Sequence, residues 1–330
     1  MTRPGEVRSD RCTDRGPSGA GAERAPRTPL HSVESGGSWI VEEHARVRLR
    51  DGRSLAFAEY GDPSGVPVFF FHGLPSCRLM HPDAEVSRTL GVRVLVADRP
   101  GFGRSDPKPG RSLLDWADDL AELADQLELP RFAVVGPSGG GPFVAACACR
   151  LAPRITHAAI LGGSGPVDAP GALAGITLER RVGYWLARHA PALLRLALRW
   201  RGDPRRDPER FFAGYTRHNP PPDQTLLARP EVRAMFLASY AEATRQGLGA
   251  FAWELQLVAR PWGFRLEDLR VPIGIWHGAE DHLTPVGMAQ ALARAIPDAA
   301  LHILPGEGHL FFLSRWPEIV AELLTRGGTR

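Results

Sequence analysis

Lysine is almost absent from this chain of 330 residues, in which Lys108 is the only lysine among 40 basic residues. The arginines are mixed with acidic residues along the whole chain, and the formal net charge is only +3. The like-charge block that typically binds nucleic acid is missing, and no apolar run is long enough to cross a membrane. These absences predict a protein that binds neither nucleic acid nor a membrane.

Cysteine is scarce as well, with four residues in the chain. Their spacing matches neither a metal site nor the disulfide framework of a small secreted domain, so we predict no metal. The N-terminus lacks the apolar stretch of a secretion signal. From these features we expect a reduced, cytoplasmic protein. The sequence does not predict an oligomeric state.

Large apolar residues are nearly missing from residues 1–37, which are rich in arginine, proline, glycine, serine and glutamate. Such a segment cannot bury enough apolar surface to offset the entropy that it would lose on ordering. We therefore predict a disordered N-terminal tail at 1–37 and a folded part from residue 38 onward.

Strand and helix patterns alternate along most of the folded part. Short apolar runs such as VPVFFFHG (66–73) are typical of strands that are buried on both faces of a sheet. The alternation predicts an α/β fold with a mostly parallel sheet that helices cover on both faces. The predicted strands lie at 39–50, 54–61, 66–73, 92–100, 131–136, 155–163, 271–278 and 300–306, and the clearest helices at 112–129, 139–152, 285–296 and 317–326.

The alternation stops between residues 165 and 262, where only amphipathic helical segments broken by proline and glycine appear. We expect the core to consist of 38–164 and 263–330, with 165–262 inserted as a helical lid over the edge where ligands bind in such sheets. An inserted lid must roof a pocket there. Some of its apolar side chains are therefore expected to face a substrate. The run at 184–200 presents Trp185, Leu186, Leu193, Leu196 and Leu198 among arginines, and most of its residues are expected to pack on the core.

The stretch VVGPSGGGPF (134–143) joins a predicted strand to a predicted helix and places Ser138 at the corner. Where a strand turns this sharply into a helix, the residues two before and two after the corner must lack a side chain. Gly136 and Gly140 meet that requirement. G-x-S-x-G alone is a weak motif that could be a simple glycine-rich connection, but this context favours Ser138 as a nucleophile.

A serine hydroxyl near neutral pH needs a base to take its proton. His309 follows the last predicted strand, and Asp281 follows the strand before it, so both are expected at the same sheet edge as Ser138. Asp281 could orient the imidazole and stabilise its protonated form. Glu280, beside Asp281, and Asp168, after an earlier strand, are alternative carboxylates.

From about residue 40 to its end, the chain resembles the α/β-hydrolase superfamily, in its serine-nucleophile, lid-containing esterase and proline-iminopeptidase-like branch. The resemblance implies that Ser138 is the nucleophile, His309 the general base and Asp281 the acid. It also implies that the backbone N–H groups of Leu74 and Gly139 form the oxyanion hole. Five motifs match in order: FFFHGLP (69–75), ADRPGFGRSD (97–106), GPSGGG (136–141), HGAEDHLTP (277–285) and GEGH (306–309).

The resemblance also implies supporting roles for several polar residues. Asp98 and Arg99 are expected to hold their own loop in place rather than touch a substrate, and His72 is expected to organise the HG loop. Thr284 and His282 are expected at the rim of the pocket.

Departures from family patterns narrow the function. Epoxide hydrolases and haloalkane dehalogenases of this fold use Asp at the position of Ser138. Proline iminopeptidases usually carry Trp, and cofactor-free haloperoxidases often carry Met, where this chain has Gly139. We expect a serine hydrolase without a cofactor that cleaves a small, moderately apolar carboxylic ester, thioester or lactone through an acyl-enzyme. A peptidase of the proline-iminopeptidase type, a receptor-like member with residual hydrolysis and a lyase are the alternatives.

Overall fold

Eight strands form one sheet in the computed structural model, which describes residues 40–200, 205–217 and 219–325. Their order is β1-β2-β4-β3-β5-β6-β7-β8; β2 is antiparallel to both neighbours, and the strands from β4 to β8 run parallel. The predicted tail at 1–37 lies outside the described residues. The strands are β1 Ile40–Arg48, β2 Ser54–Gly61, β3 Val66–Phe70, β4 Val92–Ala97, β5 Phe132–Pro137, β6 Ile155–Leu161, β7 Ile273–Gly278 and β8 Ala299–Leu304.

Helices pack on both faces of this sheet, as the alternating pattern predicts. Side chains along β3 alternate between two cores, because successive residues of a strand point to opposite faces. Phe69 and Phe71 join the core that contains α2, α3 and α10, whereas Val68 and Phe70 join the core that contains α1 and α11. The helices of these layers are α1 Ala84–Thr89, α2 Leu114–Gln126, α3 Gly141–Arg150, α10 Val286–Ala295 and α11 Trp316–Thr325.

The segment between β6 and β7 is helical, and its described part contains no strand. We call α4 to α9 the helical insertion. Ala190 precedes Pro191, which begins α5, so the run from 178 to 200 is two helices rather than one. The insertion consists of α4 Leu178–His189, α5 Pro191–Trp200, α6 Pro208–Thr216, α7 Pro221–Leu227, α8 Pro230–Ala243 and α9 Gly249–Ala259.

The outward face of α4 and α5 differs from expectation. α5 buries Leu194 and Leu198 in a cluster with residues of α9. Trp185, Leu193 and Leu196 are 57%, 56% and 51% exposed, so the expected packing on the core holds for only part of this helical run. These helices carry apolar residues on more than one face, and the sequence pattern does not show which face packs inward.

Two further observations concern the apolarity of the helices and the state of the cysteines. None of the helices in the described ranges is long and apolar enough to span a membrane. Among the described residues, Cys77 and Cys147 are buried free thiols.

Candidate active site

Ser138 occupies a strained corner between β5 and α3. Its φ is +53°, a left-handed conformation that L residues with side chains rarely adopt. A Cβ atom on Gly136 would lie 2.7 Å from the backbone of Gly140, and one on Gly140 would lie 2.2 Å from the carbonyl oxygen of Phe71. Both positions therefore require glycine, as the sequence predicts. Strain of this kind concentrates at functional sites, where the surrounding structure holds it.

Replacing Gly140 by Ala should destabilise the fold by about 3 kcal/mol, because the new methyl group must push the β3 backbone away. Urea unfolding of the purified variant measures this loss. Gly183→Ala is the matched control, since Gly183 lies inside α4 and a Cβ there meets nothing within 4 Å. That change should stabilise the protein by about 0.5–1 kcal/mol. Equal stability of the two variants would contradict the tight packing at the elbow.

His309 and Asp281 are hydrogen-bonded to each other. His309 Nδ1 lies 2.7 Å from Asp281 Oδ2, and both side chains are buried. The backbone N–H groups of Leu283 and Thr284 donate to Asp281 Oδ1 at 2.7 and 3.0 Å. The carboxylate is thus held in one orientation, with one oxygen left for the imidazole.

Thr284 lies inside the site and not at its rim. Its hydroxyl is 2.7 Å from Asp281 Oδ2 and 2.8 Å from the carbonyl oxygen of Gly162, and its side chain is buried. The expectation of a rim position is therefore wrong for Thr284. The turn after Asp281 brings both the backbone N–H and the hydroxyl of Thr284 onto the Asp281 carboxylate. His282, two residues earlier, is exposed, as expected of a rim residue.

The paired charges shift both pKa values. Burial raises the pKa of Asp281, but the charge of His309 and its hydrogen bond outweigh burial and hold that pKa below the usual range. Burial lowers the pKa of His309, but the charge of Asp281 and the same hydrogen bond raise it above the ordinary value. The pair therefore favours an ionised carboxylate beside an imidazole that readily accepts a proton.

The two alternative carboxylates lie elsewhere. Glu280 is exposed beside Asp281. Asp168 is also exposed, and its carboxylate pairs with Arg188 of α4. Neither is hydrogen-bonded to His309 among the contacts of the described residues, so Asp281 alone holds the position of a triad acid there.

Ser138 and His309 line the same cavity. The two residues follow β5 and β8, whose carboxyl ends meet at one edge of the parallel sheet. The described hydrogen bonds include none between their side chains; in sites without substrate this bond is often long or misaligned. The remaining lining residues are Gly73, Leu74, Pro75, Ser76, Met80, Pro137, Phe236, Tyr240, Leu310 and Phe312.

The two residues predicted for the oxyanion hole are in contact. A Cβ atom on Gly139 would lie 2.6 Å from Cδ1 of Leu74, so the Leu74 side chain fills the space beside Gly139. Leu74 lines the cavity next to Ser138, and Gly139 follows Ser138 in the short 3₁₀ turn that begins α3. The contact explains why the residue after Ser138 is glycine.

Arg99 ties the HG loop to the helical insertion. Its guanidinium pairs with both carboxylate oxygens of Glu254 at 2.8 Å and donates to the carbonyl oxygen of His72 at 2.7 Å. His72 Nδ1 donates to the carbonyl oxygen of Gly73 at 3.0 Å, and His72 Nε2 accepts from the backbone N–H of Arg99. The loop-organising roles expected of Arg99 and His72 fit these contacts.

Two buried carboxylates of the insertion escape the sequence analysis, Glu254 on α9 and Asp223 on α7. Glu254 binds Arg99, and Asp223 accepts the backbone N–H groups of His309 and Leu310. Acidic residues in the first turn of a helix are common, so Asp223 carries no distinguishing signal. Only the packing of distant segments brings either residue to the site.

Comparisons with known proteins agree with this fold. A family described as "alpha/beta hydrolase fold" matches residues 66–315. The chain is 27% identical over 287 residues to a non-heme chloroperoxidase of Streptomyces lividans, covering 83% of this chain and 95% of that protein. It is 31% identical over 246 residues to a pimeloyl-[acyl-carrier protein] methyl ester esterase of Aromatoleum aromaticum, covering 71% and 86% of the two. A thermophilic esterase from Thermogutta terrifontis has a similar structure, with a TM-score of 0.59, 26% identity and coverage of 87% and 99%.

Proposed function

The chain belongs to the alpha/beta hydrolase family, and we propose that it is a serine hydrolase that cleaves a small, moderately apolar carboxylic ester, thioester or lactone. One observation carries the proposal: the strained Ser138 shares a cavity with His309, whose Nδ1 is hydrogen-bonded to the buried Asp281. Similarity to a methyl ester esterase and to a solved esterase supports an acyl-transfer reaction. A buried acid, an imidazole and a half-buried serine at the elbow are the three parts of an activated nucleophile.

Acylation follows from this arrangement. Ser138 Oγ attacks the carbonyl carbon of the substrate while His309 Nε2 takes the hydroxyl proton, and Asp281 stabilises the resulting imidazolium. The negative charge that develops on the carbonyl oxygen is stabilised by the N–H groups of Leu74 and Gly139. His309 then gives its proton to the leaving alcohol or thiol, whose bond to the carbonyl carbon breaks. An ester of Ser138 remains.

Deacylation repeats these steps with water. His309 takes a proton from water, whose oxygen attacks the acyl carbon, and returns it to Ser138 Oγ as the acyl–oxygen bond breaks. The products are a carboxylic acid and the free enzyme. In a lactone, the leaving hydroxyl and the acid belong to the same molecule.

The helical insertion serves as the lid in this proposal. Phe236 and Tyr240 of α8 line the cavity together with Phe312 and Met80 of the core. These side chains offer an apolar surface of the kind that binds an acyl chain. This lining supports an apolar acyl group and argues against charged substrates.

Activity should rise with acyl length in a series of p-nitrophenyl esters. Each buried CH₂ contributes about 0.8 kcal/mol, so two more carbons should raise kcat/KM about tenfold until the cavity is full. We expect butyrate to octanoate esters to be preferred over acetate. Phe236→Leu should move the optimum to longer chains, whereas Leu193→Ala, on the exposed face of α5, should leave it in place.

A flat or falling response from acetate upward would contradict the apolar acyl pocket. Efficient release of N-terminal proline from peptides would favour a peptidase of the proline-iminopeptidase type instead.

The experiment that tests the proposal as a whole is labelling with a fluorophosphonate probe, which phosphonylates activated serines with loss of fluoride. The intact protein should gain one adduct, and peptide mass mapping should locate it on Ser138. Ester turnover is measured on the same preparation. Absence of both labelling and turnover would contradict the proposal and favour a receptor-like member of the family.

A further inference from the structure

The loop that carries His309 is held from outside the core. Asp223, in the first turn of α7, has a fully buried side chain. Its Oδ2 accepts the backbone N–H of His309 at 3.0 Å, and its Oδ1 accepts that of Leu310 at 2.9 Å. A Cβ atom on Gly308 would lie 2.3 Å from Asp223 Oδ1, so the carboxylate occupies space that only a glycine leaves open.

No lysine or arginine in the described part of the chain forms an ion pair with Asp223, although its side chain is buried. Burying a carboxylate without a cation costs several kcal/mol unless other groups stabilise the charge. Here those groups are two backbone N–H donors and the nearby imidazole of His309. Both carboxylate oxygens of Asp223 accept hydrogen bonds from N–H groups. The ionised carboxylate therefore satisfies the hydrogen bonds that the structure gives this side chain.

We propose that Asp223 is a positioning residue of the site: from the helical insertion, it fixes the backbone of the His309 loop and stabilises the imidazolium that forms during catalysis. The inference rests on the proposed function. It assigns to the insertion a part in the chemistry besides covering the pocket.

The charges around His309 decide the direction of the expected effect. Burial raises the pKa of Asp223 above its ordinary value, and its two N–H partners and the charge of His309 offset only part of that rise. Burial lowers the pKa of His309, whereas Asp281 and Asp223 raise it and Arg180 of α4 lowers it. His277, on β7, is 3.5 Å from Asp281, and burial holds its own pKa below the ordinary value. Removing the charge at Asp223 therefore lowers the pKa of His309.

The test is the pH dependence of p-nitrophenyl butyrate hydrolysis by the full chain. kcat/KM falls as acid protonates His309, because the protonated imidazole cannot act as a base. Asp223→Asn should move this acidic limb to lower pH and reduce kcat on the order of 10–100-fold, because the loop loses part of its support. KM should change little, since Asp223 is not among the residues that line the cavity.

Asp223→Glu separates charge from position. It keeps the negative charge, so the acidic limb should stay at the wild-type pH, while the longer side chain displaces the loop and lowers kcat. Glu242→Gln is the matched control, because Glu242 is a carboxylate of α8 that binds Arg78 and Arg104 away from His309. Its acidic limb should not move.

Gly308→Ala disturbs the same contact at the residue that Asp223 packs against. This variant keeps the inference testable if Asp223→Asn does not fold. Its methyl group collides with Asp223 Oδ1, so kcat should fall at least about fivefold in a folded protein. The inference is overturned if folded Asp223→Asn keeps both kcat and the acidic limb, or if Asp223→Asn and Asp223→Glu shift the limb equally. It is also overturned if Gly308→Ala keeps wild-type kcat.

These outcomes are distinct from a failure of the proposed function. That failure would appear in the wild-type protein, as missing fluorophosphonate labelling or as turnover that does not depend on Ser138. A wild-type protein that is labelled at Ser138 and hydrolyses esters, with Asp223 variants indistinguishable from it, would remove this inference alone.

Discussion

Replacing Ser138 by Ala should lower kcat for ester hydrolysis by about 10⁶, the loss found when the nucleophile of a triad is removed. The residual rate would come from the oxyanion hole and from substrate binding, which the methyl side chain leaves intact. The fold should survive, because alanine is smaller than serine and Gly136 and Gly140 still permit the turn. Steady-state hydrolysis of p-nitrophenyl butyrate measures the loss.

Ser64→Ala is the matched control, since Ser64 lies in an exposed turn where its hydroxyl donates to Asp62. It should retain wild-type turnover. If Ser138→Ala keeps even a tenth of the wild-type rate, Ser138 is not the nucleophile and the proposed mechanism falls.

Asp281→Asn should cost about 10⁴ in kcat while the protein remains folded. The amide would present an N–H group to His309 Nδ1, which is 2.7 Å from the carboxylate oxygen. The imidazole would then adopt the tautomer that places its proton on Nε2, where Ser138 needs an acceptor. The variant would also lose the charge that raises the pKa of His309.

Asp168→Asn and Glu280→Gln provide the comparison for Asp281. Both residues are exposed, and Asp168 is paired with Arg188. Exposed ion pairs contribute little to stability, so each variant should keep turnover within about twofold of wild type. A mild Asp281→Asn beside a crippling Asp168→Asn would place the triad acid after β6 instead.

Local patterns were sufficient for the sheet and the elbow. The apolar run that includes Val68 and Phe70 predicts a strand buried on both faces, and β3 has both faces in a core. The predicted strand at 66–73 ends early, at Phe70, because the chain turns there into the HG loop. Gly136 could be explained from the turn alone, because its close approach is to Gly140, a neighbour in sequence, whereas the close approach of Gly140 to Phe71 joins distant segments.

The sequence pattern could not predict the contacts between segments that are distant along the chain. Asp223 meets a residue 86 positions away, and Glu254 meets Arg99 at a separation of 155 positions. Nothing in helical periodicity indicates that a carboxylate will be buried by another part of the fold. For the same reason the amphipathic pattern of the insertion does not show which of its helices lines the pocket, a position that Phe236 and Tyr240 of α8 occupy.

The contact between Leu74 and Gly139 has a consequence for protein engineering. A Cβ at position 139 would overlap the Leu74 side chain. The size of the side chain allowed at position 139 therefore depends on the size of the side chain at position 74. A designer who wants a bulky residue after Ser138 cannot introduce it by one substitution. Such a route requires shortening Leu74 first, and each single change measured alone misstates the effect of the pair, because residues in contact are not additive. Mutational scans of this site are therefore informative only when positions 74 and 139 vary together.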